Sequence, residues 1–380
     1  MKSILIYTPE MAAIGGMETH LVELATLLSQ NAWAVTMVTT SNSLNDASRQ
    51  QCVDAGVELV EMPVARTKAG KLAKLRWLLW QAGKLRRKRW DVIYTNGQGS
   101  LAAVVWLAAR LSTRIIHHHH TSADPDERTT WAASFRWLLK AVPSLIACSE
   151  ETRANLRRAG CRQQIEKLVY LIPDLGAPAT AEAVEDCLGE RPLRFGFIGR
   201  LVSTKGIDLV VRLSQDPDLR EVEWHLHGEG DEASALKPLP NLKFHGPYRG
   251  AAALRKIHSG LDAVVLFSRH TEGMPLSLIE AMASGLPWIA TDRGGTRELA
   301  VSDEDSILLK ADFEYDDAKA AVLDLASRLR GGVTSRDTQR AAFERYLNRD
   351  TVVAKWLAFF APPRAEDTSI TSISPTGEAA

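Results

Sequence analysis

The chain has 380 residues, 45% of them hydrophobic and 24% charged, which is enough for two globular domains and excludes an intrinsically disordered protein. Its 46 basic residues balance its 46 acidic residues, so the molecule lacks the strong positive charge of a nucleic-acid-binding protein, and we expect no nucleic-acid partner. Nowhere do about 18 uncharged apolar residues follow one another, so no membrane-spanning helix is predicted.

The cysteines and the N-terminus indicate the compartment. The four cysteines are far apart and show no Cys/His spacing typical of a zinc site or a disulfide framework. The first ten residues carry one basic residue and too short an apolar run for a signal peptide, and they are typical of a strand. We therefore expect a cytoplasmic protein with reduced thiols.

Short apolar runs alternate with helical stretches from the N-terminus onward. In residues 1–175 this alternation predicts a first domain built on a parallel, doubly wound sheet. Strands are predicted at residues 3–7, 34–39, 57–62, 92–95, 114–119, 145–148 and 169–172. Helices are predicted between them, at residues 17–30, 101–111, 130–140 and 150–159.

A basic segment lies inside this first domain. Between Arg66 and Arg89 there are ten Lys or Arg and no acidic residue, with leucines at helical spacing and tryptophans nearby. The pattern predicts an amphipathic basic helix, which either packs on the sheet with its lysines in water or lies on the anionic inner face of the plasma membrane. Binding to anionic vesicles distinguishes the two.

A second alternating series follows a linker at residues 176–192, which is rich in Ala, Glu, Pro and Gly. Its strands, predicted at residues 194–198, 223–227, 242–245, 263–267, 288–291 and 306–309, define a second domain over residues 193–348. A helix in residues 349–362 is expected to return to the first domain, and residues 363–380 are expected to be a disordered tail. Two such domains place a cleft between the carboxyl ends of their sheets.

A short helix predicted at residues 275–284 has the features of an anion site. Pro275 suits its first position and Gly285 suits its end. Its start leaves unpaired amides at Gly273, Met274 and Leu276. These amides and the helix dipole favour an anion in front of the helix.

Two glutamates accompany this helix. Glu272 precedes it, and Glu280 lies inside it. A phosphate at the helix start would therefore have a sugar beside Glu272 and a ribose beside Glu280. The alternative is a solvated amphipathic helix with two surface glutamates.

Two cations follow the first strand of the second domain. Gly199 and Arg200 form a turn, and Lys205 precedes Gly206. A planar guanidinium and a compact ammonium at the carboxyl end of a strand can hold a diphosphate without a metal ion. The alternative is a loop with ordinary surface charges.

Adjacent glycines, Gly15 and Gly16, open the first helix of the first domain and allow backbone amides to approach a phosphate. The G-x-G-x-x-G pattern of dinucleotide-binding proteins is missing, and the second predicted strand ends in Thr and Ser with no acid for a ribose. A nicotinamide-dependent dehydrogenase is therefore disfavoured.

Four consecutive histidines, residues 117–120, end a predicted strand. Strand alternation sends His118 and His120 to one face and His117 and His119 to the other. No further ligands at metal-binding spacing accompany them, so we interpret most of these rings as packed, with His120 or His119 facing the cleft.

In their order and spacing, these motifs resemble the retaining glycosyltransferases of family 4, over nearly the whole chain. The motifs are Gly15-Gly16-Met17-Glu18, the strand-end histidine, Ala147-Cys148-Ser149, Gly199-Arg200 with Lys205-Gly206, His227-Gly228-Glu229-Gly230, Phe244-His245-Gly246, the segment from Glu272 to Glu280, and Gly294-Gly295 with Glu298. The resemblance implies the GT-B fold, an α/β architecture of two Rossmann-like doubly wound parallel-sheet domains facing across a cleft.

The resemblance also implies a nucleoside-diphosphate sugar as donor. Its binding residues would be Gly15, Gly16, Gly199, Arg200, Lys205, Gly228, Tyr248, Glu272, Gly273, Met274, Pro275, Leu276 and Glu280. The cations would hold the diphosphate, Glu280 the ribose and Glu272 the transferred sugar. The groups that act at the reacting carbon would be His120, Glu272, Arg200 and Lys205, with His119 as an acceptor contact and no metal or other cofactor.

We therefore expect a retaining, metal-independent transferase that moves a hexose from a UDP- or GDP-sugar to a saccharide or lipid-linked acceptor in cell-surface polysaccharide, lipopolysaccharide or exopolysaccharide assembly. The alternatives are a GT-B epimerase or phosphorylase, and a non-catalytic membrane- or nucleic-acid-binding module that uses the basic segment.

Overall fold

Two parallel sheets organise the chain in a computed structural model that describes residues 1–8, 16–40, 43–62, 88–98, 114–176, 191–236 and 239–361. Outside these residues lie Gly15, the predicted helix at 101–111, most of the linker, the tail, and the basic segment except Lys88 and Arg89. The membrane hypothesis for that segment therefore stays a prediction. Among the described helices, none combines the length and apolar character needed to cross a bilayer.

The first sheet has seven strands in the order β3-β2-β1-β4-β5-β6-β7, with every neighbouring pair parallel. The strands are β1 (Lys2–Tyr7), β2 (Trp33–Thr40), β3 (Glu58–Met62), β4 (Val92–Thr95), β5 (Arg114–His119), β6 (Ser144–Ala147) and β7 (Gln164–Lys167). The described helices that accompany them are α1 (Gly16–Gln30), α2 (Asp46–Asp54), α3 (Pro125–Thr129), α4 (Ala133–Ala141) and α5 (Glu150–Arg158).

A short helix that was not predicted precedes one of the predicted helices of this domain. The helix predicted at residues 130–140 is present as α4, which begins three residues later, and α3 lies before it as a separate short helix. The side chain of Asp124 caps the start of α3, where Pro125 favours a helical first position. The Trp131 side chain then turns inward and its Nε1 donates to Glu127, which separates the two helices.

The strand predicted at residues 169–172 is wrong. The chain pairs with β6 earlier, through β7, and its last sheet bond runs from the Leu168 amide to the Ala147 carbonyl. Beyond that point the backbone bonds to side chains of helices: the Leu171 amide donates to His20 Nδ1, and the Val169 carbonyl accepts from Trp356 Nε1. The apolar residues at 169–172 match the pattern of a strand, but their backbone forms hydrogen bonds with side chains and not with a neighbouring strand.

The second sheet has six strands in the order β10-β9-β8-β11-β12-β13, again parallel throughout. They are β8 (Leu193–Ile198), β9 (Val222–His227), β10 (Leu242–Gly246), β11 (Ala263–Leu266), β12 (Trp288–Thr291) and β13 (Ser306–Leu309). The described helices around it are α6 (Ile207–Leu213), α7 (Gly250–Ser259), α8 (Leu276–Ala283), α9 (Tyr315–Arg330) and α10 (Arg336–Tyr346). The helix predicted at residues 275–284 is thus α8, with Pro275 at its N-cap and not inside its first turn.

The last described helix, α11 (Arg349–Phe360), lies against the first domain. Val352, Trp356 and Phe360 pack in one apolar cluster with residues of β1, β2 and α1. The Trp356 ring lies 4.9 Å from the His20 ring, between centroids. The C-terminal end of the described chain therefore ties the second domain to the first.

Polar contacts join the two domains near the cleft. The Glu298 carboxylate accepts from the first amides of α5, at 2.7 Å from Glu150 N, and pairs with Lys167 Nζ at 2.6 Å. A carboxylate at a helix N-terminus is stabilised by the helix dipole. These contacts set the carboxyl ends of the two sheets opposite each other.

Replacing Trp356 with Ala should lower the free energy of unfolding by about 3–5 kcal/mol, because the ring is fully buried and the Val169 carbonyl oxygen loses its donor. Urea unfolding followed by circular dichroism measures this. Trp137→Ala is the matched control, since that side chain is 68% exposed and its loss should change stability by less than about 0.5 kcal/mol. Equal effects of the two variants would contradict the packing of α11.

Candidate functional site

A cleft of about 1120 Å³ lies between the two domains and is lined by both. The residues predicted for the site that line it are Gly16, His120, Gly199, Arg200, Lys205, Gly228, Tyr248, Glu272, Gly273, Met274, Pro275, Leu276 and Glu280. Gly15 lies outside the described residues. The structure therefore brings residues separated by more than half of the chain into one crevice.

Two helix N-termini meet at the centre of this cleft. Helix α1 begins at Gly16, and α8 begins at Leu276. A Cβ added to Gly16 would lie 2.9 Å from the Leu276 Cβ, so the two helix starts are as close as a glycine allows. Because each N-terminus carries a partial positive charge, an anion is favoured between them.

Glu272 is a buried carboxylate at the mouth of α8. Lys205 Nζ lies 2.5 Å from its Oε1, the Ser268 hydroxyl donates to the same oxygen, and His270 Nε2 is 3.5 Å away. Burial by itself raises the pKa of Glu272, but the charges of Lys205 and His270 and the two hydrogen bonds outweigh it and lower the pKa. Glu272 is therefore ionised at neutral pH.

Arg200 differs from Lys205 in its surroundings. It follows β8, lines the cleft and is exposed, and no described residue forms a hydrogen bond or an ion pair with its guanidinium. Lys205 is paired with Glu272 inside the protein. The cleft therefore contains Arg200, whose charge no described residue compensates, and Lys205, which forms an ion pair with Glu272.

Glu280 is a buried carboxyl group without a cationic partner among the described residues. It is 5% exposed, and burial raises its pKa to about 8. Tyr248 is affected by this carboxyl group: burial raises the pKa of Tyr248, and the Glu280 charge raises it further. Glu280 is therefore largely protonated at neutral pH and can receive or donate a hydrogen bond in the cleft.

His120 belongs to a buried network of rings. The Tyr170 hydroxyl donates to the His120 carbonyl oxygen at 3.1 Å and lies 3.1 Å from His120 Nδ1. Since the hydroxyl has one proton, we assign the Nδ1–H tautomer, which leaves Nε2 as a lone-pair acceptor with no partner in the described part of the chain. Burial, followed by the neighbouring histidines, holds the pKa of His120 well below its usual value, so the ring is neutral.

The acceptor contact predicted for His119 is not supported, because His119 points away from the cleft. Its Nε2 lies 3.0 Å from Glu127 Oε1, and its ring packs against Trp131 and Phe135. Strand alternation explains this placement, since His118 and His120 share the opposite face with ring centroids 3.9 Å apart.

The sequence reasoning missed three side chains that shape the site. Ser268 and His270 lie between the end of β11 and Glu272, and Tyr170 holds His120. The first two could have been found from their position after a strand of the second sheet. Tyr170 could not, because it fell inside a wrongly predicted strand.

Two family descriptions match consecutive parts of the chain. Residues 15–170 match the glycosyl transferase 4-like domain, and residues 192–328 match glycosyl transferases group 1. The chain belongs to the group 1, family 4-like glycosyltransferases.

Relatives of this glycosyltransferase are distant. A GDP-mannose-dependent alpha-mannosyltransferase of Mycolicibacterium smegmatis is 36% identical over 148 residues, and the match spans 38% of each chain. An uncharacterized 42.6 kDa protein in the cps region of Klebsiella pneumoniae is 24% identical over 326 residues, which is 76% of this chain and 84% of that protein.

Solved structures show the same fold. HepE of Anabaena, in complex with UDP-glucose, has a TM-score of 0.76 at 17% identity over 94% of this chain and 99% of that one. Sucrose-phosphate synthase of Thermosynechococcus elongatus has a TM-score of 0.75 at 18% identity over 95% and 98%. The prediction of the GT-B fold is confirmed.

Replacing Lys205 with Met should destabilise this glycosyltransferase by about 3 kcal/mol near neutral pH, because the buried Glu272 carboxylate loses its cation. In the unchanged protein the pKa of Glu272 is lowered, so its favourable ionisation persists into acid. In the variant that pKa rises, and the difference in stability should therefore shrink as the pH falls and Glu272 takes up a proton.

Thermal unfolding at several pH values measures this difference. Lys205→Met combined with Glu272→Gln is the control and should recover most of the lost stability. A single variant as stable as the unchanged protein at neutral pH would contradict the buried ion pair.

Proposed function

We propose that this chain is a retaining glycosyltransferase that moves a hexose from a nucleoside-diphosphate sugar to a saccharide or lipid-linked acceptor and needs no metal ion for the transfer. The observation that carries the proposal is the convergence of two helix N-termini, Arg200 and the Lys205–Glu272 pair on one cleft. This arrangement fits a bound diphosphate with a sugar attached.

The charges in the cleft match those of the donor. A diphosphate diester carries about two negative charges at neutral pH, and each helix N-terminus supplies about half a positive charge. Together with the guanidinium of Arg200 they offset about two charges, and Lys205 adds a further contact when the diphosphate draws it from Glu272. This is our reason for proposing that protein groups alone stabilise the leaving group.

The proposed reaction takes place on one face of the sugar. The bond between the anomeric carbon and the diphosphate oxygen breaks, the acceptor oxygen forms its bond to the same carbon from the same side, and the acceptor proton passes to the departing diphosphate. Atoms and charges balance without a covalent enzyme intermediate. In this proposal Glu272 holds sugar hydroxyls, because its ionised oxygens are acceptors and Lys205 fixes their position.

His120 would contact the transferred sugar from the opposite domain. Its neutral ring presents Nε2 as an acceptor, which suits a donating hydroxyl of the hexose. The carbonyl oxygen of His120 lies against Gly273, where an added Cβ would be only 2.2 Å away. The sugar would therefore lie where the two domains touch.

The relatives suggest which donors to test first. One relative is named for its dependence on GDP-mannose, and one structural neighbour holds UDP-glucose. The cps-region protein of Klebsiella pneumoniae supports our proposal of a role in cell-surface polysaccharide assembly. GDP-mannose and UDP-glucose are therefore the first donors of a wider screen of sugar nucleotides.

The proposal predicts transfer that depends on Glu272 and Arg200. With an active donor, Glu272→Ala and Arg200→Ala should each lower kcat/KM by at least about 100-fold, since each removes a charged contact at the reacting end of the donor. Product formation is followed by mass spectrometry, and the anomeric configuration by NMR. Glu304→Ala and Arg220→Ala, both exposed positions outside the cleft, should leave the rate unchanged.

Near-normal transfer by either cleft variant would contradict the assigned roles. Inversion at the anomeric carbon would contradict the same-face reaction. Epimerisation or phosphorolysis of the donor in the absence of a saccharide acceptor would favour the alternative GT-B activities.

Donor binding should strengthen as the pH rises towards about 8, the pKa of Glu280 in the ligand-free protein. Two ribose hydroxyls that donate to the carboxylate stabilise its charged form, so binding lowers this pKa and releases a proton. Below the free pKa the affinity should fall by up to about ten-fold per pH unit. Isothermal titration with an intact sugar nucleotide measures this slope, which Glu280→Gln should abolish; a flat profile in the unchanged protein would contradict the ribose contact.

A further inference from the structure

Three histidines meet at the edge of the second sheet, outside the cleft lining. His225 and His227 lie two apart on β9 and share a face, and His245 lies on the neighbouring edge strand β10. The pairing shifts between Phe244 and Gly246, so His245 is an extra residue in the ladder. Bulges of this kind re-aim a side chain, and here the imidazole joins the other two.

Their nitrogens are nearly as close as metal coordination requires. One nitrogen from each ring lies within 4.8 Å of the other two, and His225 Nδ1 is 3.0 Å from His245 Nε2. Nitrogens that share one zinc ion at about 2.0–2.1 Å lie about 3.3 Å apart. The rings now stack, with 4.3 Å between the centroids of His227 and His245, so small turns about the side-chain bonds would direct all three nitrogens to one point.

The Glu223 carboxylate contacts the ring nitrogen of His225 that faces away from the other two histidines. His225 Nε2 lies 3.2 Å from Glu223 Oε2, and Lys243 pairs with the other oxygen of Glu223. A carboxylate that accepts from Nε2–H fixes the tautomer with a free lone pair on Nδ1, the nitrogen that faces His245. Carboxylates hold metal-binding histidines in the same way in known metal sites.

The surroundings of His227 and His245 also suit a cation. No described residue forms a hydrogen bond with the His227 ring. His245 is exposed at the sheet edge, which gives an ion a way in and leaves room for a water ligand.

We propose that His225, His227 and His245 bind one divalent transition-metal ion, with Zn²⁺ as the expected occupant and Glu223 as the positioning residue. Three imidazole nitrogens and an open position suit Zn²⁺ better than the oxygen-seeking Mg²⁺ or Ca²⁺. The ion would link β9 to β10 just before Gly228, which lines the cleft, and Gly246. It would brace the donor-binding domain and take no part in the transfer.

Cobalt and zinc titrations of the full chain test this site. The titrations use protein without a polyhistidine tag, from which bound metal has first been removed with a chelator. One equivalent of Co²⁺ should give the visible absorption of a tetrahedral site, and Zn²⁺ should displace it and raise the melting temperature. His245→Gln and His225→Gln should weaken Co²⁺ binding by at least about 100-fold, and Glu223→Gln by about 10- to 100-fold.

His270→Asn is the matched control, because it removes a half-exposed histidine away from the cluster and should leave Co²⁺ affinity and stoichiometry unchanged. The exposed position of His245 allows its variant to fold, which the melting temperature without metal verifies. Substoichiometric binding by the unchanged protein would overturn the proposal, as would equal affinity in a folded His245→Gln variant. None of these measurements requires turnover, so their outcome is independent of the transferase activity.

Discussion

The close approach of two helix N-termini is the constraint on which the cleft depends. Gly16 at the start of α1 and Leu276 at the start of α8 touch, and any side chain at position 16 would push the helices apart. A second contact of this kind sets Gly273 against the His120 carbonyl. Two positive helix ends are held together without a covalent link, and an anion between them would relieve their mutual repulsion.

The charged side chains of the cleft differ in how their charges are compensated. A buried carboxylate such as Glu272 is tolerated because Lys205 and Ser268 satisfy it, whereas Glu280 has no such partner in the described segments and is largely protonated at neutral pH. Arg200 stays exposed and its charge uncompensated by any described residue. The ligand-free cleft therefore keeps the exposed charge of Arg200, while the buried carboxyl groups of Glu272 and Glu280 are paired or neutral.

The contacts between the domains place these groups opposite each other. Glu298 of the second domain caps α5 of the first, and Trp356 anchors the last described helix on the rings of His20 and His118. The histidine run is thus mainly structural: three of its rings pack inside the first domain, and only His120 lines the cleft. Packing of α11 and the geometry of the site are therefore linked through the same cluster of rings.

The sequence by itself determined the alternation of strands and helices in two domains and the positions of Arg200, Glu272 and Glu280 after or within particular elements, and its motifs indicated the GT-B fold through their resemblance to a known family. Hydrophobic periodicity and glycine turns are local, so they can be read along the chain. Tertiary structure decided that residues 169–172 leave the sheet, that His120 and not His119 meets the cleft, and that His225, His227 and His245 cluster. It also decided that Lys205 neutralises Glu272 while Glu280 stays protonated. Ion pairing, burial and side-chain convergence depend on distances between residues far apart in the chain, and only the packed fold sets those distances.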